Sequence, residues 1–202
     1  LRALQAAPAE RPTRIPPPRT EAEPVVLFVG RLAPNKGHVG LLQAFHVLKT
    51  YRHHDAHLWM PGGTSLPRYS WALEQYRREL GLNDAHFAGV VSTGGLANMY
   101  RRADVLLCLS EHEGFCVPLV EAMAFDVPIV ALNRTAVPET LGGAGLLLDE
   151  DTPELVAEAV SNVITRPQLR DVLVERGRRR LHELRPQDAA EVFVDELERA
   201  IA

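Results

Sequence analysis

The sequence predicts a doubly wound α/β domain, a Rossmann-like parallel sheet of about six strands with helices on both faces. Three observations carry that expectation. Short runs such as Val25–Gly30 and Val105–Leu109 are apolar throughout rather than alternating, the pattern of strands covered on both sides. Segments with apolar residues at helical spacing lie between the runs. Glycine or proline closes the first three strands, at Gly30, Pro61 and Gly89. Regular alternation of buried strands and helices selects this class over a sandwich or a bundle. With 202 residues, 46% of them hydrophobic, the chain has enough apolar material for one domain and a tail.

Residues 1–24 hold six of the 15 prolines, with Pro16-Pro17-Pro18 in the middle and no periodicity, so an extended linker is expected. Val25–Gly30 is the first strand. Gly37–Thr50 is a helix with Leu41, Leu42, Phe45 and Leu48 on one face. Ala56–Met60 is the second strand, stopped by Pro61-Gly62-Gly63. Pro67–Leu80 is a helix closed by Gly81. Ala85–Ala88 is a short strand ending at Gly89, and Gly95–Arg102 a short helix. Val105–Leu109 is a strand, followed by a turn and the helix Pro118–Phe125. Val127–Leu132 and Gly145–Leu148 complete the sheet. Helices follow at Pro153–Thr165 and Pro167–His182. A last amphipathic helix, roughly Asp188 to Ile201, carries Phe193, Leu197 and Ile201 on one stripe, for packing on its own domain or on another chain. The expected division is a linker at 1–24, a ligand-binding domain at 25–185 and a C-terminal helix at 186–202.

A net charge of −4 and a pI near 6.1 exclude a dedicated nucleic-acid binder. The run Arg176, Arg178, Arg179, Arg180 reads as a solvated helix face, with contact to an anionic membrane surface as the sharper alternative. Two cysteines make no disulfide framework, Cys108 reads as a buried thiol, and a reducing cytoplasm is expected, at most with peripheral contact at the inner face of the membrane. No apolar run approaches a membrane span and no signal-peptide pattern is visible. The chain opens on Leu1 rather than Met, from which a fragment of a longer protein is expected.

The most informative stretch is Ser110 to Ala131, SEHEGFCVPLVEAMAFDVPIVA. It sets Glu113 and Glu121 around a Gly114-Phe115-Cys116 turn that opens a helix. A helix N-terminus offers unpaired N–H groups and a positive dipole end, which attract phosphates and hydroxyls. Pro118 fits the first helical turn, where its missing N–H costs nothing. Glu121 lies about one turn further along, and Glu113 stays in the loop. One carboxylate at each end of an anion-binding turn suits a ligand with a phosphate between two polyols. A nucleotide sugar has that layout.

EGFCVPLVEAMA resembles the signature of the retaining family-4 glycosyltransferases of GT-B fold, whose two glutamates stand eight positions apart. Phe28–Gly37, FVGRLAPNKG, resembles that family's phosphate-binding loop, and Phe87–Val105, FAGVVSTGGLANMYRRADV, the stretch that meets the nucleotide base. The match runs from about Val25 to about Arg185 and corresponds to the C-terminal, donor-binding half of such an enzyme. Where family members often carry acidic residues, this chain has Thr93-Gly94-Gly95.

The resemblance implies transfer of a sugar from a nucleoside-diphosphate sugar to a hydroxyl acceptor by front-face substitution with retention. Arg31 and Lys36 would hold the diphosphate and stabilise the leaving group. Glu113 would bind hydroxyls of the transferred sugar and Glu121 the ribose. Phe115 and Cys116 would supply N–H donors beside Gly114, and Val90 and Val91 would contact the base. Pro34 and Gly37 would shape the phosphate loop. No cofactor beyond the donor and no metal is implied. His112 has no metal-binding partner at a known spacing, and His53, His54 and His57 read as solvated loop residues. The acceptor, a glycan, lipid or small molecule, would be positioned by an N-terminal half outside this chain. Two rivals stay open: a non-catalytic nucleotide-sugar-binding module, and a glycoside hydrolase using Glu113 and Glu121, which would leave Arg31 and Lys36 without a role.

Overall fold

In the computed structural model residues 23–184 and Gln5 are described. Most of the expected linker and the whole of the expected helix at 188–201 lie outside the described residues. Gln5 is helical and donates from Nε2 to the carbonyl of Ala124 at 2.7 Å, so that point is not extended.

Six parallel strands form one sheet: β1 (Val25–Leu27), β2 (His57–Pro61), β3 (Ala85–Gly89), β4 (Val105–Cys108), β5 (Ile129–Leu132) and β6 (Leu146–Leu148), in the order β3-β2-β1-β4-β5-β6. The expected class therefore holds. The helices are α1 (His38–Tyr51), α2 (Pro67–Glu79), α3 (Thr93–Arg102), α4 (Val117–Ala124), α5 (Val137–Leu141), α6 (Pro153–Thr165) and α7 (Pro167–Glu183). Side-chain alternation along each strand feeds two cores. Val26, Phe28, Leu58, Met60, Leu107 and Val130 meet α1, α2 and α6 on one face. Val25, Leu27, Trp59, Leu106, Ile129 and Ala131 meet α3, α4 and α5 on the other. Both sides of every central strand are buried, which explains their continuous apolar sequence. None of the described helices is long and apolar enough to cross a membrane.

The first strand is shorter than Val25–Gly30, but its pairing is not. The Phe28 amide donates to the Trp59 carbonyl at 2.9 Å and the Gly30 amide to that of Pro61 at 3.1 Å, carrying the chain to Arg31 alongside β2. α3 begins at Thr93 rather than Gly95, because the Ser92 hydroxyl accepts from the Gly95 amide at 3.0 Å and caps it. α5 was not expected at all.

Two surface readings need correction. His57 is no loop residue: it starts β2, is buried, and its Nε2 lies 3.1 Å from a Glu23 carboxylate oxygen. His53 is likewise engaged, 3.2 Å from the Ser161 hydroxyl. The arginine run is not simply solvated. Arg180 donates to the carbonyls of Glu139 and Thr140, and Arg178 forms a two-pronged pair with Asp126. Both tie α7 to the opposite layer.

Candidate functional site

The sheet order makes β1 and β4 neighbours whose following helices, α1 and α4, pack on opposite faces. Between such strands the two outgoing loops part and leave a crevice at the carboxyl edge. Two of the segments singled out in the sequence, the loop after β1 and the loop after β4, meet there.

The loop after β1 tightens into a short 3-10 turn, Pro34–Lys36, closed by Gly37 in the left-handed region at φ 70°. A Cβ on Gly37 would stand 2.2 Å from the carbonyl oxygen of Leu109, so glycine serves here to bring the loop against the end of β4. The two loops are then clamped together. The Glu111 amide donates to the Asn35 carbonyl at 3.0 Å, and the Asn35 side chain donates to the His112 carbonyl at 3.3 Å. Lys36 Nζ lies 2.6 Å from Glu113 Oε1, with both side chains largely buried. Arg31, in the same loop, is exposed, with its backbone against Gly62 at the end of β2.

The second loop, Ser110–Cys116, is held from α5 and the segment before it. The Glu113 amide donates to the Thr135 hydroxyl at 3.0 Å, and the Thr140 hydroxyl donates to the Phe115 carbonyl at 2.7 Å. Cys116, the residue before α4, takes φ 57° and ψ 63°, a left-handed conformation uncommon outside glycine. Neither α1 nor α4 has a side-chain cap; in α4 Pro118 lacks an N–H and the Leu119 amide donates to the Cys116 carbonyl at 3.0 Å, so the helix dipole and the amides of the preceding turn are what it presents at this edge. Beside Gly114 nothing lies within 4 Å of where a Cβ would be.

Glu121 sits on α4 with one oxygen fixed. The Tyr100 hydroxyl donates to Oε2 at 2.8 Å. Tyr100 is fully buried, stacks on Phe125 at 5.4 Å, and its own ionisation is pushed well up by burial and by the neighbouring carboxylate. It therefore stays a donor at any working pH and leaves the other carboxylate oxygen for a ligand. Val90, after β3, is 84% exposed and free to meet a ligand face, whereas Val91 packs half-buried against the α3 core. The structure thus brings Lys36 against Glu113 on the Glu113–Cys116 turn, with Glu121 on the helix that the turn opens and Arg31 exposed at the start of the Lys36 loop.

Sequence reasoning missed Tyr100, Asn35, Thr135 and Thr140, all of which hold site residues in place. The late Pro138 and the Gly142 that ends α5 were a readable signal for that helix. Nothing local in the sequence pairs Tyr100 with Glu121.

His38, directly after Gly37, is fully buried against Phe28 and Tyr69, and burial lowers its pKa to about 4. It is a neutral wedge under the loop. Among the described residues, the one group of His, Cys and carboxylate side chains with donor atoms within 4.8 Å of one another is Cys108, Glu113 and Cys116. Lys36 already occupies the Glu113 carboxylate, and a cation there opposes a metal.

Comparison with known proteins bears on the family and the fold. The family model described as glycosyl transferases group 1 matches residues 11–180. The chain is 31% identical over 193 residues to a D-inositol 3-phosphate glycosyltransferase of Kineococcus radiotolerans, covering 88% of this chain and 44% of that protein. It is 29% identical over 163 residues to the O-antigen chain mannosyltransferase B of Escherichia coli, covering 75% of this chain and 39% of the relative. The chain thus spans about two fifths of the length of these curated relatives. Its fold resembles that of Anabaena HepE, solved in complex with UDP and glucose, with a TM-score of 0.75, 22% identity, and 86% of this chain and 49% of that one covered. With most of the chain matched and its parallel sheet shared, the protein belongs to the group 1 glycosyl transferases.

Proposed function

We propose that this chain is the donor-binding half of a retaining glycosyltransferase, which takes a nucleoside-diphosphate sugar and hands its glycosyl group to a hydroxyl acceptor. One observation carries the reading: two helix N-termini without side-chain caps and the Lys36–Glu113 pair lie together where β1 and β4 part. A glycoside hydrolase needs two carboxylates across a sugar, and Lys36 neutralising Glu113 does not suit that role.

In this reading Arg31 and Lys36 meet the diphosphate, with the Phe115 and Cys116 amides and the α4 dipole. Lys36 is shared: turning toward phosphate frees a Glu113 oxygen for the sugar hydroxyls. As the bond to the sugar breaks, negative charge grows on the leaving phosphate, and these fixed donors favour that state over the ground state. Glu121, steadied by Tyr100, accepts from the ribose. Val90 covers the base. The charge is handled by side chains and helix dipoles, so the donor binds without metal and no further cofactor is used. The acceptor is presented by a part of the protein beyond this domain, and the linker, ligand-binding domain and C-terminal helix divide near residues 24 and 185. The related proteins named above include one seen with UDP and one that uses a mannosyl group, which supports nucleotide sugars as the donor class.

Calorimetry with UDP, GDP and ADP, each with and without a chelator, tests this. At least one nucleoside diphosphate is expected to bind equally well in chelator, and Arg31→Ala is expected to weaken it while leaving the parent nucleoside unaffected. Binding lost in chelator overturns the metal-free reading. No binding of any of the three overturns the donor assignment.

A further inference from the structure

Under the donor turn lie two thiols that the proposed chemistry does not use. Cys108 ends β4 and Cys116 precedes α4, and their Sγ atoms are 3.8 Å apart in a buried pocket. We infer that Cys108 and Cys116 are a dithiol–disulfide site, closed by a small two-electron oxidant such as hydrogen peroxide, and that closure weakens the nucleotide site above it. The second half of this inference rests on the donor-binding reading.

The geometry favours bond formation. The sulfurs need to approach from 3.8 Å to about 2.05 Å, with no intervening side chain to displace. The two sides of the contact are unequally held. Cys108 lies in a strand hydrogen-bonded to β5 and next to β1 in the centre of the sheet. Cys116 lies on a turn and already sits in a left-handed conformation that residues other than glycine rarely adopt. The turn is therefore the side that yields. Its movement carries the Phe115 and Cys116 amides and strains the Thr140 and Thr135 contacts.

The local polarity suits the chemistry. The Cys116 thiol and the Ser110 amide and hydroxyl act on Cys108, whose pKa falls to about 7, while its partner's is pushed up. With its sulfur 3.8 Å from the Cys116 thiol and 3.7 Å from the Ser110 hydroxyl, Cys108 is assigned as the attacking thiolate and Cys116 as the resolving thiol. In the first step Cys108 sulfur bonds to a peroxide oxygen, the O–O bond breaks and hydroxide leaves. In the second, Cys116 sulfur attacks the resulting sulfenic acid, the S–S bond forms, and the hydroxyl leaves as water with the Cys116 proton. Two thiols lose two electrons and two protons, and one peroxide becomes two waters. A small dithiol reverses the change. Thiolates also bind metals, but the Lys36 ammonium on the third donor, Glu113, disfavours that use.

The test treats the full chain with hydrogen peroxide, alkylates it under denaturing conditions, and measures intact mass alongside nucleotide affinity by calorimetry. The expected result is loss of two hydrogen atoms with no alkylation, and about a tenfold drop in affinity for the best nucleoside diphosphate, both reversed by dithiothreitol. Cys108→Ala is expected to keep the reduced affinity and to ignore peroxide, and thermal melts confirm that it folds. Two alkylatable thiols after peroxide, oxidation beyond the sulfenic stage, or dimers linked between chains overturn the site. A clean disulfide with unchanged affinity overturns the coupling to the turn. A reduced chain that binds no nucleotide overturns the donor reading and the coupling with it, while the mass still decides the disulfide.

Discussion

Glu121 is useful to a ligand because only half of it is spent within the protein. Tyr100 takes Oε2 and fixes the side chain's direction, and the remaining oxygen can accept from a neighbouring diol. A charge-assisted hydrogen bond is worth roughly 1.5–3 kcal/mol, so Glu121→Gln is expected to weaken nucleoside diphosphate binding about ten- to a hundredfold by calorimetry. Tyr100→Phe keeps the stacking on Phe125 and loses only the hydroxyl. It is expected to weaken binding several-fold and, as a role in mere folding would not, to reduce discrimination between ribonucleotide and deoxyribonucleotide, with no added effect on top of Glu121→Gln. Full additivity of the two changes would contradict the positioning role.

At the scale of elements, the two loop glycines separate what holds the fold from what meets a ligand. Gly37 is left-handed and faces the Leu109 carbonyl, whereas Gly114 faces open space. Gly37→Ala is expected to cost at least about 2 kcal/mol in denaturant unfolding, from strain plus the forced separation of the α1 loop from β4. Gly114→Ala is expected to leave stability within about 0.5 kcal/mol and to weaken nucleotide binding, because its methyl group projects into the crevice. The reverse ranking of stability losses would refute this division. The same contrast shows what was legible in the sequence. Strands and helices with a strong apolar period were readable, since burial on both faces writes itself into continuous runs such as Val105–Leu109. The glutamate pair and the Arg31–Lys36 loop were readable because short segments carry them whole. α5 was too short for a period to show. His57 looked like part of a polar loop because its burial depends on Glu23 and His86, which lie on other segments. The clamps Asn35–His112, Tyr100–Glu121 and Thr140–Phe115 join residues far apart in sequence, so only the folded chain pairs them.

At the scale of the whole molecule, the described residues form one parallel sheet covered by helices on both faces, with several histidines wholly or partly buried among them. Burial lowers the pKa values of His38, His53 and His86, His38 to about 4. The unfolded chain then binds more protons than the folded one as pH falls below about 6.5. Stability is therefore fully present above that value and is lost as pH falls toward 4. His38 alone accounts for about 3 kcal/mol of loss by the end of that window. Thermal melts from pH 8 to pH 4.5 check the direction, and His38→Gln is expected to flatten the slope; a chain more stable at pH 5 than at pH 7 would contradict it. In the proposed reading the chain is expected to bind donor without transferring sugar, since the described residues form one sheet domain and none of them is assigned to hold an acceptor hydroxyl at the reacting carbon. Incubation with the best donor and a panel of lipid, glycan and alcohol acceptors tests that, and robust transfer would require an acceptor site in this sequence. The central claim, that a nucleotide sugar seats where β1 and β4 part, is tested most directly by backbone amide NMR during titration with the tightest of the UDP, GDP and ADP sugars. The account predicts saturable shifts concentrated at Arg31–Gly37, Val90–Val91 and Glu113–Glu121. Shifts confined to the opposite sheet edge around His57 and Asp84, or none at saturating donor, would contradict it.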